Sequence, residues 1–166
     1  MVIWITGLPG AGKTTLAHTL HKKLKDKLNN IILLDGDVLR TVFSNFNYDH
    51  KSRLELGMTY ARLSHMLSQQ GFIVICATVS MFHKVREWNA DNNSSYVEVY
   101  IRASEKVLRQ RNQKELYSKA SSGNAKYVHG FDIKIEEPTA PSIIIDNNGV
   151  EEPDSLVELI ISELNL

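Results

Sequence analysis

An α/β fold, a five-stranded parallel sheet with helices on both faces, is what this sequence predicts, and three observations carry that prediction. Short apolar runs alternate with segments of helical period along the 166 residues. The first run, V-I-W-I-T, feeds straight into Gly7-Leu8-Pro9-Gly10-Ala11-Gly12-Lys13-Thr14, a complete G-x-x-x-x-G-K-S/T phosphate-binding loop (P-loop). The run F-I-V-I-C-A-T-V at 72–79 is too continuously apolar for a sheet with one wet face, so it belongs inside the sheet.

The elements follow in order. Behind the loop, a helix over 13–28 places Leu16, Ala17, Leu20, Leu24 and Leu28 on one face and lysines on the other. The lysine-rich part of that helix is interleaved with Asp26 and reads as a solvated face rather than a nucleic-acid contact. Asn29 and Asn30 end it, and 31–34 form a second buried strand that delivers Asp35, Gly36 and Asp37 to its carboxyl end. A short helix over 37–44, a polar connection dotted with aromatics, and a long helix over 51–69 follow; Gly71 stops the long helix. The interior strand over 72–79 leads to a helix near 82–90 and a fourth strand over 96–101. Ser104 is placed to cap the next helix, which runs to about Asn112. The charged segment 113–141, with glycines and two terminal prolines, reads as a mobile lid. A fifth strand over 142–146 and an amphipathic helix over 153–164 complete a single domain, 1–166.

Composition narrows the function. Lys plus Arg and Asp plus Glu both total 19, so the chain lacks the basic excess of a nucleic-acid binder, and its phosphate chemistry belongs to a pocket. Its one cysteine, Cys76, lies in an apolar run and reads as a buried strand residue; an internal disulfide framework is excluded. A strand starting at Val2 leaves no place for a signal peptide, and no apolar run approaches a membrane span, which together point to the cytoplasm.

Ligands of parallel sheets sit beyond the carboxyl ends of the strands, where Gly7 to Thr14, Asp35 to Asp37, Thr78 to Ser80 and Asn147 to Val150 all fall. The P-loop glycines let main-chain N–H groups approach phosphate oxygens, and the helix behind adds its positive end. Lys13 then reaches the β- and γ-phosphates, and the Thr14 hydroxyl suits Mg²⁺. In Asp35-Gly36-Asp37, each carboxylate serves either a metal-bound water or the proton of an attacking hydroxyl, although the same turn also makes a good helix N-cap. Arg40, one turn beyond Asp37, and Arg53, at the start of the long helix, suit bidentate phosphate binding. Tyr48 is placed either to stack on a base or to cover the core.

These residues resemble the adenylyl-sulfate (APS) kinase family. The resemblance rests on Trp4-Ile5-Thr6-Gly7 ahead of the loop, on L-D-G-D-x-x-R from Leu34 to Arg40, on R-x-x-K-x-L-Y-x-K-A from Arg111 to Ala120, and on Gly130, Asp132, Glu136 and Pro138 in G-x-D-x-x-x-E-x-P. It implies a P-loop kinase fold and transfer of the γ-phosphoryl of ATP, with Mg²⁺, to the 3′-hydroxyl of a nucleotide anhydride. It further implies that Gly7, Leu8, Pro9, Gly10, Ala11, Gly12, Lys13, Thr14 and Thr15 hold ATP, joined by Arg109 and Arg111. Thr14 and Asp35 would take the metal, and Lys13, Asp35 and Asp37 the chemistry. On the acceptor side it implies Asp37, Arg40, Tyr48, Arg53, Val79, Ser80 and, from the lid, Lys114. APS kinases are commonly dimers, so a homodimer is expected.

The departures from the family fall on the base-reading side. Leu56 stands where the family has asparagine, Val128 where it has phenylalanine, Met81 where it has proline, and Asn112 where it has aspartate. Losing an aromatic partner costs about 1–3 kcal/mol per stacked base. Phe131 and Tyr127 flank Val128 and offer a substitute ring. Two acceptors therefore stay open, adenylyl sulfate and the smaller pyrimidine nucleotide cytidine diphosphoramidate, which a branch resembling the APS kinases phosphorylates in capsule phosphoramidate synthesis. A non-catalytic nucleotide-binding regulator is the rival class, with a kinase for a sugar-like acceptor behind it.

Overall fold

The computed structural model describes residues 1–112, 115, 117–118 and 135–164. Its strands are β1 (Val2–Thr6), β2 (Ile31–Asp35), β3 (Ile73–Ala77), β4 (Tyr96–Arg102) and β5 (Ile143–Asp146). Between and after them come the helices α1 (Lys13–Lys25), α2 (Gly36–Val42), α3 (His50–Gln69), α4 (His83–Asn92), α5 (Glu105–Arg111) and α6 (Pro153–Leu164). The five strands form one parallel sheet in the order β2-β3-β1-β4-β5, which is the P-loop kinase fold.

The period of two along each strand divides the core. Ile3 and Ile5 of β1, with Ile75 of β3, face Leu16, Leu20, Leu24, Leu156 and Ile160 of α1 and α6. Trp4 and Cys76 point the other way, onto Leu56, Tyr60, Phe82 and Val85. Burial pushes the Cys76 thiol up to about 12, consistent with an inert core residue.

Several expected boundaries shift for local reasons. α1 ends at Lys25, three residues early, although the amides of Lys27 and Leu28 still return to Leu24 O at 3.0 and 2.8 Å. β2 is an edge strand whose first four residues are only half buried, so the expectation of a second buried strand is corrected. β3 stops at Ala77, two residues before the apolar run ends, where its pairing with β1 and β2 ends at Ile5 and Asp35. Asp49 caps α3 by accepting from Ser52 N at 3.0 Å, which starts that helix at His50. Ser104 caps α5 as expected, accepting from Val107 N at 3.4 Å.

The returning leg of the expected lid is tied to α4. Phe82, the N-cap of α4, makes no side-chain cap bond; instead the carboxylate of Glu136 accepts from His83 N. Arg86 donates to Glu136 O at 2.7 Å and faces Glu98 at 3.2 Å, both side chains being almost fully buried. Burial raises the Glu98 carboxyl above its ordinary value, and Arg86 opposes that rise. Arg86→Met should therefore destabilise the protein by about 3–5 kcal/mol, the cost of a buried charge left alone. Glu98→Gln in the same background should recover part of the loss, and urea denaturation of the four-protein cycle measures it.

Candidate active site

The carboxyl ends of the strands open into a cleft of about 740 Å³, within the usual range for small-molecule sites. Lys13 of α1, Arg40 of α2, Arg53 of α3 and Arg111 of α5 line it, so four helices bring cations to one space. Asp35 and Asp37 line the same cleft.

The P-loop connects β1 to α1 through Gly7, Gly10 and Gly12, all at positive φ. A Cβ on Gly7 would collide with Ile101 O of β4, so this position tolerates no side chain. Lys13 is nine-tenths buried, and its Nζ donates to Leu8 O at 2.8 Å. Burial pulls its ammonium down to about 8, against the charges of Asp37 and then Asp35.

Asp35 fills the cap role that D-G-D suggested and turns its second oxygen to the P-loop. Its Oδ1 caps α2, accepting from Asp37 N at 2.8 Å and Val38 N at 3.3 Å, which starts the helix at Gly36. Its Oδ2 accepts from Thr14 Oγ1 at 3.0 Å. The cap orients one oxygen and leaves the other beside the threonine hydroxyl. Two hard oxygen donors therefore meet at the mouth of the P-loop, a pairing that fits Mg²⁺.

Arg40 and Arg53 place their guanidinium carbons 4.3 and 5.1 Å from the ring centre of Tyr48. Loop carbonyls hold both arginines: Arg40 Nη1 donates to Asn45 O at 3.0 Å and Asn47 O at 2.9 Å, and Arg53 Nε donates to Tyr48 O at 2.7 Å. Leu56 is buried and lines the cleft together with Val79 and Ser80; the Ser80 hydroxyl is buried too.

Of the residues singled out from sequence, Pro9, Gly10, Gly12, Lys13, Thr14, Thr15, Asp35, Asp37, Arg40, Tyr48, Arg53, Leu56, Val79, Ser80 and Arg111 all line this cleft. Gly7, Leu8 and Ala11 do not; Ala11 is part of the core beneath the loop. Arg109 is also absent from the cleft. It lies with Leu8 on a separate depression of about 210 Å³ and pairs with Glu105 one helical turn back, at 2.8 Å. Lys114, Val128, Tyr127 and Phe131, with most of the expected lid, lie outside the described residues.

Sequence reasoning did not single out Tyr60 or Phe82, which also line the cleft, and it placed Asn147, another lining residue, only as the start of a loop at the pocket. Tyr60 Oη donates to Gly36 O at 3.1 Å and so holds the D-G-D turn against α3. A signal for it was present: Arg53, Leu56 and Tyr60 recur at three- and four-residue spacing and so share a helix face.

Comparison with known proteins finds relatives along almost the whole chain. The family model described as adenylylsulphate kinase matches residues 1–146. Cytidine diphosphoramidate kinase of Campylobacter jejuni is 39% identical over 165 residues, covering 99% of this chain and 96% of the relative. A probable adenylyl-sulfate kinase of Archaeoglobus fulgidus is 39% identical over 148 residues, covering 89% and 96%. Among solved structures, the Mycobacterium tuberculosis APS kinase in complex with AMPPNP and APS superposes with a TM-score of 0.89 at 24% identity, covering 99% of this chain and 97% of that one. At that identity the superposition speaks for the fold alone.

Proposed function

This chain belongs to the adenylylsulphate kinase family, and from that premise we propose that it transfers the γ-phosphoryl of ATP to the ribose 3′-hydroxyl of a nucleotide anhydride, with cytidine diphosphoramidate as the favoured acceptor. That it is a phosphotransferase follows from the family and from its relatives, which are named kinases. The observation that carries the proposal is the shared cleft, which P-loop residues, the Asp35–Asp37 turn, Arg40 and Arg53 all line.

In the transfer, a bond forms between the acceptor's 3′-oxygen and the γ-phosphorus while the bond to the β,γ-bridging oxygen breaks. Asp37 accepts the proton released by the attacking hydroxyl. Lys13 leaves Leu8 O and turns its ammonium to the bridging region, while the P-loop amides hold the remaining phosphate oxygens. Thr14 and Asp35 would hold Mg²⁺, which when bound neutralises charge on the β- and γ-phosphates. Arg40 and Arg53 bind the acceptor's phosphate, with Tyr48 packed between them as a spacer.

Two observations favour the pyrimidine acceptor. Leu56 presents an alkyl group in the cleft wall where the family pattern has an amide, and the cytidine diphosphoramidate kinase is 39% identical over 165 residues, against 35% and 31% for two adenylyl-sulfate kinases matched over the same length. Adenylyl sulfate is the second reading, supported by the relatives that carry that activity in their names. Initial rates with ATP and each nucleotide separate the readings. A kcat/KM at least tenfold higher on cytidine diphosphoramidate is expected; the reverse order would install adenylyl sulfate, and inactivity on both would support the regulatory class. Leu56→Asn combined with Val128→Phe should shift relative activity toward adenylyl sulfate by about tenfold, the worth of a regained stacking contact. An unchanged ratio would remove the explanation offered for these departures.

The remaining parts of the reading are a single kinase domain over 1–166, a homodimer and a cytoplasmic location. No helix among the described residues is long and apolar enough to cross a membrane. Light scattering on the purified chain tests the dimer.

A further inference from the structure

The P-loop in this structure is held from behind as well as shaped from within. Four consecutive carbonyls, those of Leu8, Pro9, Gly10 and Ala11, each accept a hydrogen bond from a different side chain. Lys13 Nζ donates to Leu8 O at 2.8 Å, Tyr117 Oη to Pro9 O at 2.8 Å, Arg111 Nη1 to Gly10 O at 3.0 Å, and Asn147 Nδ2 to Ala11 O at 2.9 Å. Arg111 Nη2 also donates to Asn147 Oδ1 at 3.2 Å, which joins two of these donors and fixes which way the Asn147 amide faces.

A peptide unit is planar and trans, so its C=O and the N–H of the following residue point in opposite directions from one rigid plate. Pinning Pro9 O therefore aims the N–H of Gly10, and pinning Ala11 O aims that of Gly12. The N–H between them, on Ala11, is already turned inward onto Leu8 O at 3.1 Å. Gly10 and Gly12 sit at φ of 81° and 100°, where the backbone of a glycine is free to turn either way. Without outside contacts these two plates would be the loosest in the loop. Gly12 also has a packing reason to be glycine, since a Cβ there would strike Asn147 Nδ2.

We propose that Tyr117 and Asn147, the latter held by Arg111, are positioning residues that orient the Gly10 and Gly12 amides toward the phosphates of the donor nucleotide by occupying the opposite ends of the same peptide planes. They come from chain segments over 100 residues beyond the loop and act through its main chain. The effect is preorganisation: amides already aimed spare the bound state the cost of ordering them.

The inference rests on the ATP reading of the loop, and the experiment keeps the two apart. Wild-type protein and the Tyr117→Phe, Asn147→Ala and Asn147→Asp variants are titrated with the non-hydrolysable donor AMPPNP, with inorganic tripolyphosphate, and with adenosine. Wild type that fails to bind AMPPNP would refute the ATP reading itself. Asn147→Ala should weaken AMPPNP and tripolyphosphate by about tenfold, and Tyr117→Phe by about threefold, as single preorganising contacts do. Asn147→Asp should bind phosphates no better than Asn147→Ala. It keeps an acceptor for Arg111, but it turns a carboxylate onto Ala11 O in place of a donor. Adenosine should bind all four proteins equally, which neither direct contact of Asn147 with the base nor general loss of folding would produce. Phosphate affinities within twofold of wild type in Tyr117→Phe, or an equal loss of adenosine binding, would overturn the proposal. Tyr117→Phe keeps the buried ring, so it decides the question even if the Asn147 variants fold poorly.

Discussion

Lys13→Met should lower kcat/KM by about a hundred- to thousandfold and yet raise the melting temperature of the ligand-free protein. The loss of rate follows from removing the ammonium that Lys13 places at the P-loop, since a preorganised donor aimed at developing charge is worth about that much. The gain in stability follows from what the cation costs before ATP arrives. Burial pulls Lys13 from its ordinary 10.5 to about 8, and each unit corresponds to about 1.4 kcal/mol. At neutral pH the charged lysine thus costs about 3 kcal/mol, from which about 1 kcal/mol is subtracted for its bond to Leu8 O. A methionine of similar length avoids the cost, and a net gain of about 2 kcal/mol in a chain of this size is several degrees. The pH dependence has a definite sign. Between about 8 and 10.5 the unfolded chain keeps the Lys13 proton and the folded one does not, so this residue's contribution to stability improves as pH rises through that window. ATP affinity moves the opposite way, because the free enzyme loses the phosphate-binding charge above about 8. Thermal scans and ATP titrations at pH 7 and pH 9 measure both slopes. A variant less stable than wild type, or one within tenfold of its rate, would contradict this account.

Much of this arrangement is legible in the sequence because its determinants are local. Strand and helix periods, the spacing of the P-loop and the D-G-D turn each depend on residues within one turn of one another, and the structure places them together as expected. The parts that could not be read depend on distant pairing. Asp35 was ambiguous between cap and ligand because each role uses one oxygen and the sequence does not number oxygens; Oδ1 takes the cap and Oδ2 faces Thr14. β2 read as buried because its composition is apolar, whereas its place at the sheet edge is decided by the chain's crossover to β3. The cap of α4 comes from Glu136, more than 50 residues later, beyond the reach of a local reading around Phe82. Tyr117 appeared as one letter of a motif, and Asn147 as part of a loop beyond β5. Their hydrogen bonds to the P-loop span 108 and 136 residues and leave no periodic trace.

Asp37→Asn should lower kcat by about a hundredfold or more while changing the affinity for ATP by only a few-fold. Asp37 lies in the first turn of α2, lines the cleft, and is the carboxylate whose charge bears most strongly on Lys13. Its backbone N–H, not its side chain, serves the Asp35 cap, so the amide replacement leaves the turn intact. What changes is the capacity to take a proton, since an asparagine oxygen can accept a hydrogen bond from the attacking hydroxyl but cannot carry its proton away. The loss should therefore appear in kcat with the acceptor's KM nearly preserved, as for an interaction made only in the transition state. Removing one of the two charges that support the Lys13 ammonium should also pull that group below its present value, so ATP binding in the variant should weaken at a lower pH than in wild type. An Asp35→Asn substitution provides the contrast. It disturbs the carboxylate that accepts from Thr14 and caps α2 at once, and should lower ATP-dependent stabilisation together with rate. If Asp37→Asn instead changed only the Michaelis constant for ATP, the proton would have to leave by another route, and Asp37 would serve merely as counter-charge to Lys13.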